Sequence, residues 1–69
     1  MNLQYIRSKI RKEINVRHSF IYNGNRNQIE KFEGYINKCY SGIFTILLLD
    51  KKIRSFSYSD VIVGNLEII

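Results

Sequence analysis

The chain has 69 residues and a formal net charge of +5, which indicates one small basic domain. A disulfide-stapled scaffold is excluded because Cys39 is the single cysteine, and a four-ligand zinc site is excluded because one cysteine and one histidine cannot build it. No apolar run approaches the ~20 residues of a membrane span, and the charged segment 1–14 does not fit a signal peptide. We therefore expect a cytoplasmic protein that uses no metal, no cofactor and no membrane.

Residue usage and charge distribution both carry information. Ala, Pro and Trp are absent, whereas Ile, Phe and Tyr, which prefer strands, are abundant. The frequent Ile, Asn, Lys, Tyr and Phe residues have AT-rich codons, which predicts a low-GC bacterium or its phage. Residues 1–31 carry seven Lys/Arg and two Asp/Glu, whereas residues 32–69 carry four of each. The whole net charge thus lies in the first half, which indicates a basic surface for an anionic partner.

An amphipathic helix is predicted over residues 2–14. Its apolar residues are three or four positions apart and form one stripe, made of Leu3, Ile6, Ile10 and Ile14. Asn2 is a suitable N-cap, and Asn15 is a suitable left-handed residue where the helix ends. A helix this short is marginal alone, so the stripe has to dock on another element.

Strand signals follow the helix. The sequence predicts five strands, at Val16–Tyr22, Ile29–Lys38, Ile43–Leu49, Ile53–Ser57 and Leu66–Ile69. One helical turn is predicted at Tyr58–Val61. The segments Asn23-Gly24-Asn25 and Tyr40-Ser41-Gly42 are typical of turns, and Gly34 indicates a bulge or a sharp bend in the second strand. Ile43–Leu49 is apolar on both faces except at Thr45, which predicts the central strand.

This order of elements predicts a single domain over residues 1–69. The fold class is mainly β with one N-terminal helix (about 2–14) and a small SH3-like or Sm-like five-stranded antiparallel barrel (about 16–69). A barrel suits a short chain because closure removes most exposed strand edges. The predicted core consists of Phe20, Ile36, Phe44, Ile46, Leu48 and Phe56, with Ile6 and Ile10 from the helix.

Several short motifs resemble one bacterial family. They are Asn23-Gly24-Asn25-Arg26, Gly34, Tyr40-Ser41-Gly42-Ile43-Phe44 and Ser55-Phe56-Ser57-Tyr58-Ser59-Asp60-Val61-Ile62. Together they are similar to the Veg family, small proteins known as biofilm formation stimulators, whose members typically read NGGR, then Gly, TYPSVF and SYSYADIL. The spacings from Asn23 to Gly34, Tyr40 and Phe44 match without a gap, whereas the hairpin at Asp50–Lys52 is shorter than usual. The resemblance covers about residues 3–69. It implies a small regulatory protein that acts by binding nucleic acid or a regulator.

The chain also departs from the family pattern. Ser41 stands where members have Pro, and Asn25 stands where they have the second Gly of NGGR. The basic pair that follows Arg26 in the family is Asn27-Gln28 here, which removes two positive charges from this hairpin.

No catalytic constellation is apparent. His18 has no serine or carboxylate partner at a recognisable spacing, and Cys39 has only Lys38 beside it to lower its pKa. Ser59 and Asp60 are explained by capping of the helical turn. The glycines stand singly, so no phosphate-binding loop is present. We expect a protein that is not an enzyme.

Two features point to binding. The first is a set of cations suited to phosphates, Arg7, Arg11, Lys12, Arg17 and Arg26, for which a solvated helix face is the alternative reading. The second is a set of tyrosines suited to base stacking or to an interface, Tyr22, Tyr35 and Tyr40, for which core packing is the alternative.

The sequence therefore predicts a non-enzymatic bacterial regulator that binds nucleic acid through its basic N-terminal helix. The alternative is a protein-interaction module that modulates a transcriptional regulator and never contacts nucleic acid. A homodimer through the outer face of the barrel or its last strand is also predicted, because the helix is too short to cover all of the apolar surface of Ile43–Leu49 and Leu66–Ile69.

Overall fold

The computed structural model describes residues 2–25 and 28–69. In chain order its elements are α1 (Leu3–Arg11), β1 (Arg17–Asn25), β2 (Gln28–Cys39), β3 (Ile43–Leu48), β4 (Ile53–Ser57), α2 (Tyr58–Ile62) and β5 (Leu66–Ile68). The strands form one antiparallel sheet in the order β4-β3-β2-β1-β5. The predicted fold class, mainly β with an N-terminal helix and five antiparallel strands, is confirmed.

The sheet is not closed into a complete barrel, because β4 and β5 do not pair with each other. The chain between them forms α2, which packs against both strands. β5 is only three residues long and pairs with β1. The free edge of β4 is therefore left without a strand partner.

The sheet nevertheless curls strongly. Phe56 pairs with Phe44, and Phe44 pairs with Cys39. Phe32 is seven residues away from Cys39 along β2, so in a flat sheet it would lie about 23 Å from the row formed by Cys39, Phe44 and Phe56. The rings of Phe32 and Phe56 are instead stacked with their centroids 5.8 Å apart. β4 thus lies over the first half of β2, and the core is enclosed between them.

β2 is the strand that makes this curl possible. Its first half pairs with β1 and its second half with β3. Gly34 and Tyr35, where the two halves meet, pair with both neighbouring strands. The prediction that Ile43–Leu49 forms the central strand is therefore wrong. β2 is central because its 12 residues are long enough to serve two neighbours in succession.

Two local predictions about bends need correction. Gly34 is in register with both His18 and Leu48, and the bulge of β2 falls at Asn37. A glycine is required at 34 for a different reason, because a Cβ there would lie 2.5 Å from the backbone oxygen of Leu47. The turn predicted at residues 23–25 belongs instead to the irregular end of β1, which continues to Asn25 and pairs there with Gln28.

The core contains almost all of the predicted residues. Ile6, Ile10, Phe20, Ile36, Phe44, Ile46 and Phe56 are buried. Leu48 is only partly buried at the margin of this cluster. The sequence did not predict Tyr58 and Leu66, which are 0% and 1% exposed.

Caps fix the ends of both helices. The Asn2 side chain accepts a hydrogen bond of 2.8 Å from the backbone N–H of Tyr5. Asn15 has the predicted left-handed conformation (φ 69°), but it does not end the helix, because α1 ends at Arg11 with Lys12 as its C-cap and not at Ile14 as predicted. Ser59 or Asp60 was predicted to cap α2, but the N-cap is Ser57. The Ser57 hydroxyl accepts a hydrogen bond from the backbone N–H of Asp60. Ser57 takes this role because it still has extended backbone at the end of β4.

Candidate nucleic-acid interface

The helix α1 has an apolar face and a basic face. Ile6 and Ile10 are one turn apart and almost completely buried, because α1 packs on α2 and β2. The remaining positions carry the cations Arg7, Lys9 and Arg11, followed by Lys12 at the C-cap. No acidic residue stands between Asn2 and Lys12. The segment from Arg7 to Lys12 therefore places four positive charges on fewer than two helical turns.

Arg7 and Arg11 lie on one flank of α1, four residues apart, and approach a buried phenol. The pKa of Tyr58 is raised to about 12, chiefly by burial and in addition by the nearby Cys39 thiol, whereas the charges of Arg7 and Arg11 lower it. Arg7 is half-buried, and its Nε has no hydrogen-bond partner among the described residues. Both guanidinium groups are thus held near the junction of α1, α2 and the end of β2.

Lys9 lies on the opposite flank of α1. Its ammonium is 5.8 Å from the ring centroid of Tyr5, a residue that is 55% exposed. This contact is a cation–π interaction at the surface, which weakly orders the lysine without neutralising its charge.

Arg17 has a different environment from the helix cations. Its guanidinium forms an ion pair of 3.0 Å with Glu33 on β2, and both side chains are about half exposed (51% and 49%). The charge of Arg17 is therefore balanced locally. In residues 2–25 and 28–69, the ion pairs formed by arginine or lysine are those of Arg17 with Glu33 and of Arg54 with Glu30.

The five predicted phosphate-binding residues are therefore not equivalent. Arg7, Arg11 and Lys12 come together on α1 and its C-cap, and none of them joins an ion pair within the described part of the chain. Arg17 stands on β1 beside its glutamate. Arg26 lies outside the described residues, so its predicted role stays a prediction.

The three predicted stacking residues also differ. Tyr22 packs edge-on against Phe56 at 5.2 Å and covers Gly24, so its ring belongs to the core margin. Tyr35 is half-buried on the outer face of β2, in register with Arg17 and Leu47. Tyr40 is 49% exposed at the end of β2, and its carbonyl accepts a hydrogen bond from the Tyr58 hydroxyl. Of the three, Tyr40 is the most exposed, and its backbone is hydrogen-bonded to Tyr58, on whose phenol the charges of Arg7 and Arg11 act.

The comparison with known families agrees with these motifs. A family model described as "Biofilm formation stimulator VEG" matches residues 1–69, the full length of the chain. The chain belongs to the Veg family. Its membership is consistent with a small regulatory protein. No curated protein matches this Veg-family chain.

One polar cluster of this Veg-family protein was not predicted. The guanidinium of Arg54 lies 4.9 Å from the ring centroid of Phe32 and 5.0 Å from that of Phe56, and it pairs with Glu30 at 3.0 Å. The available signal was the period of β4, since Arg54 and Phe56 are two residues apart and share the inner face. The Arg54 guanidinium thus covers the rings of Phe32 and Phe56, and its charge is paired with Glu30.

The residues with catalytic potential lie apart from one another. His18 is hydrogen-bonded through Nδ1 to the backbone oxygen of Ile69 at 3.2 Å, and its Nε2 is 3.6 Å from the Glu13 carboxylate. It borders a groove of about 590 Å³ between α1 and β5, and within the described residues that groove has no serine, threonine or cysteine in its lining. Cys39 is near Tyr58 instead.

Two further observations concern ligands and membranes. Within residues 2–25 and 28–69, no group of three or more His, Cys, Asp or Glu side chains is placed to hold a metal ion. In that same part of the Veg-family chain, no helix has the length and apolar character needed to cross a membrane.

Proposed function

We propose that this Veg-family protein is a non-enzymatic cytoplasmic regulator that binds nucleic acid through α1. One observation carries the proposal: the segment from Arg7 to Lys12 holds four cations with no carboxylate among them or paired with them in the described residues. Elsewhere, Arg17 and Arg54 each have a glutamate within 3.0 Å. Lys31 and Lys38 on β2 also have no ion pair among the described residues, but they are seven positions apart, so positive charge is densest on the helix.

Phosphate groups are the natural ligands of such a surface. Arg7 and Arg11 present guanidinium groups one helical turn apart, and guanidinium donors match the oxygens of a phosphate in a bidentate way. Contacts of this kind fix the position of a nucleic acid and discriminate weakly between sequences.

The salt dependence of binding tests this proposal. Fluorescence anisotropy is measured with one labelled duplex and one labelled single strand of mixed sequence, each at a low and a near-physiological salt concentration. Phosphate binding predicts that log K falls against log [salt] with a slope of about −0.9 for each duplex phosphate contacted. Failure to bind either oligonucleotide at low salt would refute the proposal.

A second candidate function is supported by the outer face of the sheet. Tyr35, Leu47 and Ile53 are cross-strand neighbours on β2, β3 and β4, and they form an apolar row that continues beyond the reach of α1. Ile53 is 58% exposed. Such a row suits docking on a regulatory protein, and binding there would be nearly insensitive to salt because burial of apolar surface supplies the free energy.

The two candidates are separated by one pair of variants. Ile53→Ser removes the exposed apolar side chain at the edge of the row and leaves every cation in place. Arg11→Gln removes a helix cation and leaves the row intact. Nucleic-acid affinity should fall several-fold for Arg11→Gln and stay unchanged for Ile53→Ser. The protein-interaction module would be favoured if Ile53→Ser weakened binding to a regulatory protein and Arg11→Gln did not.

A further inference from the structure

The helix α1 forms a ridge on the surface of the domain. Of its nine residues, Ile6 and Ile10 are buried, Arg7 is half-buried and the other six are exposed. α1 packs on α2 and β2 through the buried face, whereas Ser8 and Lys12, on the opposite side, are exposed. The outward face of α1 is therefore open to a ligand along its whole length.

This outward face has a neutral polar crest between two basic flanks. Successive residues of an α-helix are rotated by about 100°, so Ser8 lies directly opposite the buried pair and Gln4 lies beside it, one turn earlier. We call Gln4 and Ser8 the crest. Four cations divide between its two sides, with Arg7 and Arg11 on one flank and Lys9 and Lys12 on the other. No carboxylate stands in residues 2–12, so neither flank is neutralised within the helix.

Basic flanks on both sides of a neutral crest match the major groove of duplex DNA. An α-helix with its side chains is about 10–12 Å across, and the groove is about 12 Å wide. A helix that lies in the groove meets a phosphate backbone on each flank and base edges at its crest. Glutamine and serine side chains are among the groups that hydrogen-bond to base edges there. A helix that met a single phosphate backbone would need cations on one flank only.

We propose that α1 lies in the major groove of B-form DNA, with its two flanks on opposite phosphate backbones and the crest against base edges. This rests on the proposed function, since it specifies which nucleic acid α1 binds. Duplex RNA is a poorer ligand for such a helix, because the major groove of A-form RNA is deep and narrow. Glu13, the first carboxylate after the basic segment, is half-buried and lies 3.6 Å from His18 Nε2, so it does not interrupt the flanks.

The groove is tested by fluorescence anisotropy with three duplexes of equal length, equivalent sequence and equal charge. They are plain DNA, RNA, and DNA whose cytosines carry a glucosylated hydroxymethyl group at C5, a position that opens into the major groove. Plain DNA should bind about tenfold or more tightly than either of the others. Equal affinity for plain and glucosylated DNA, or for DNA and RNA, would overturn the groove proposal and leave phosphate binding by α1 in place. Absence of binding to all three at low salt would overturn the proposed function as well.

A pair of variants tests the crest itself. Gln4→Ala/Ser8→Ala removes the crest and keeps every cation, and Ser41→Ala/Ser55→Ala removes two exposed polar side chains away from α1 as the matched control. On a DNA duplex enriched from a randomised pool, the crest variant should bind about fivefold or more weakly than the wild type. Its slope of log K against log [salt] should stay unchanged, because the phosphate contacts remain. The control should bind like the wild type, and a crest variant of wild-type affinity would overturn the proposal.

Discussion

The hydroxyl of Tyr58, a residue that is 0% exposed, donates a hydrogen bond of 2.9 Å to the backbone carbonyl of Tyr40, a residue that is 49% exposed. This bond ties the first turn of α2 to the end of β2. It does so beside Arg7 and Arg11, whose charges act on the same phenol. One buried side chain thus connects the core to the backbone of the exposed Tyr40 and lies within range of the two arginine charges of α1.

The first prediction concerns alkaline pH. Burial raises the pKa of Tyr58 from the ordinary value of 10.0 to about 12, so the folded state holds this proton more tightly than the unfolded state does. This proton therefore adds to the free energy of unfolding below pH 10, and the contribution is lost as the pH rises to about 12. Its size is about 1.4 kcal/mol for each unit by which folding raises the pKa. Urea unfolding at successive pH values measures it.

Tyr58→Phe provides the contrast for that measurement. Near pH 7 the variant should lose about 1 kcal/mol, because the carbonyl of Tyr40 loses its donor. Its stability should then fall less than that of the wild type between pH 10 and pH 12. Tyr5→Phe removes an exposed phenol and is the matched control. Equal alkaline losses in wild type and Tyr58→Phe would contradict the assignment.

The second prediction concerns the close approach of β2 and β3. A Cβ at position 34 would lie 2.5 Å from the carbonyl oxygen of Leu47, so Gly34→Ala forces two backbones apart. We expect a loss of about 1–3 kcal/mol in the free energy of unfolding. Gly42→Ala is the control, since no atom lies within 4 Å of a Cβ there and φ is not in the left-handed region. A Gly34→Ala variant as stable as Gly42→Ala would show that β2 does not require glycine.

The third prediction concerns the centre of the core. Phe44 is 0% exposed and packs against Tyr58 and Phe56, with ring centroids 5.3 and 6.4 Å away. Phe44→Ala should cost about 3–5 kcal/mol, which is enough to unfold most of a domain this small. Ile29→Ala, at a position that is 63% exposed, should cost little. Thermal melts of both variants decide, and similar melting temperatures would contradict the described core.

The fourth prediction concerns the form of nucleic acid that is bound. Tyr40 is 49% exposed, and its backbone is hydrogen-bonded to Tyr58, the phenol on which the charges of Arg7 and Arg11 act. An exposed aromatic ring stacks on an unpaired base but finds none in a duplex. Tyr40→Ala should weaken binding of single strands by about 1–3 kcal/mol and leave duplex binding unchanged. Tyr40→Phe keeps the stacking surface and should bind like the wild type. Equal losses on duplex and single strand would assign another role to Tyr40.

The order of elements could be predicted because its signals are local. The spacing of Ile6 and Ile10 indicates the helix, Asn2 marks its start, and alternation and turn residues mark the strands. The end of the helix was predicted three residues too late, at Ile14 and not at Arg11. Which strand is central could not be predicted, because that depends on pairing between distant segments. β3 is the more apolar strand, but β2 is central because of its length, and the bulge at Asn37 appears only in the register with β3.

The candidate site divides in the same way. The grouping of Arg7, Arg11 and Lys12 follows from helical spacing and is visible in the sequence. The pairing of Arg17 with Glu33 depends on the register of β1 with β2, so the sequence could not show that this charge is balanced. The burial of Tyr58 was missed because a short helix after an edge strand carries no periodic signal.

The central claim is that α1, and not the overall charge, binds nucleic acid. It is tested by comparing two double variants of equal charge, Arg7→Gln/Arg11→Gln on α1 and Lys51→Gln/Lys52→Gln on the exposed turn before β4. The measurement is the slope of log K against log [salt] by anisotropy on one duplex, with folding checked by circular dichroism. The account predicts a slope shallower by about 1.8 for the helix variant and nearly unchanged for the turn variant. Equal slopes for the two variants would contradict it.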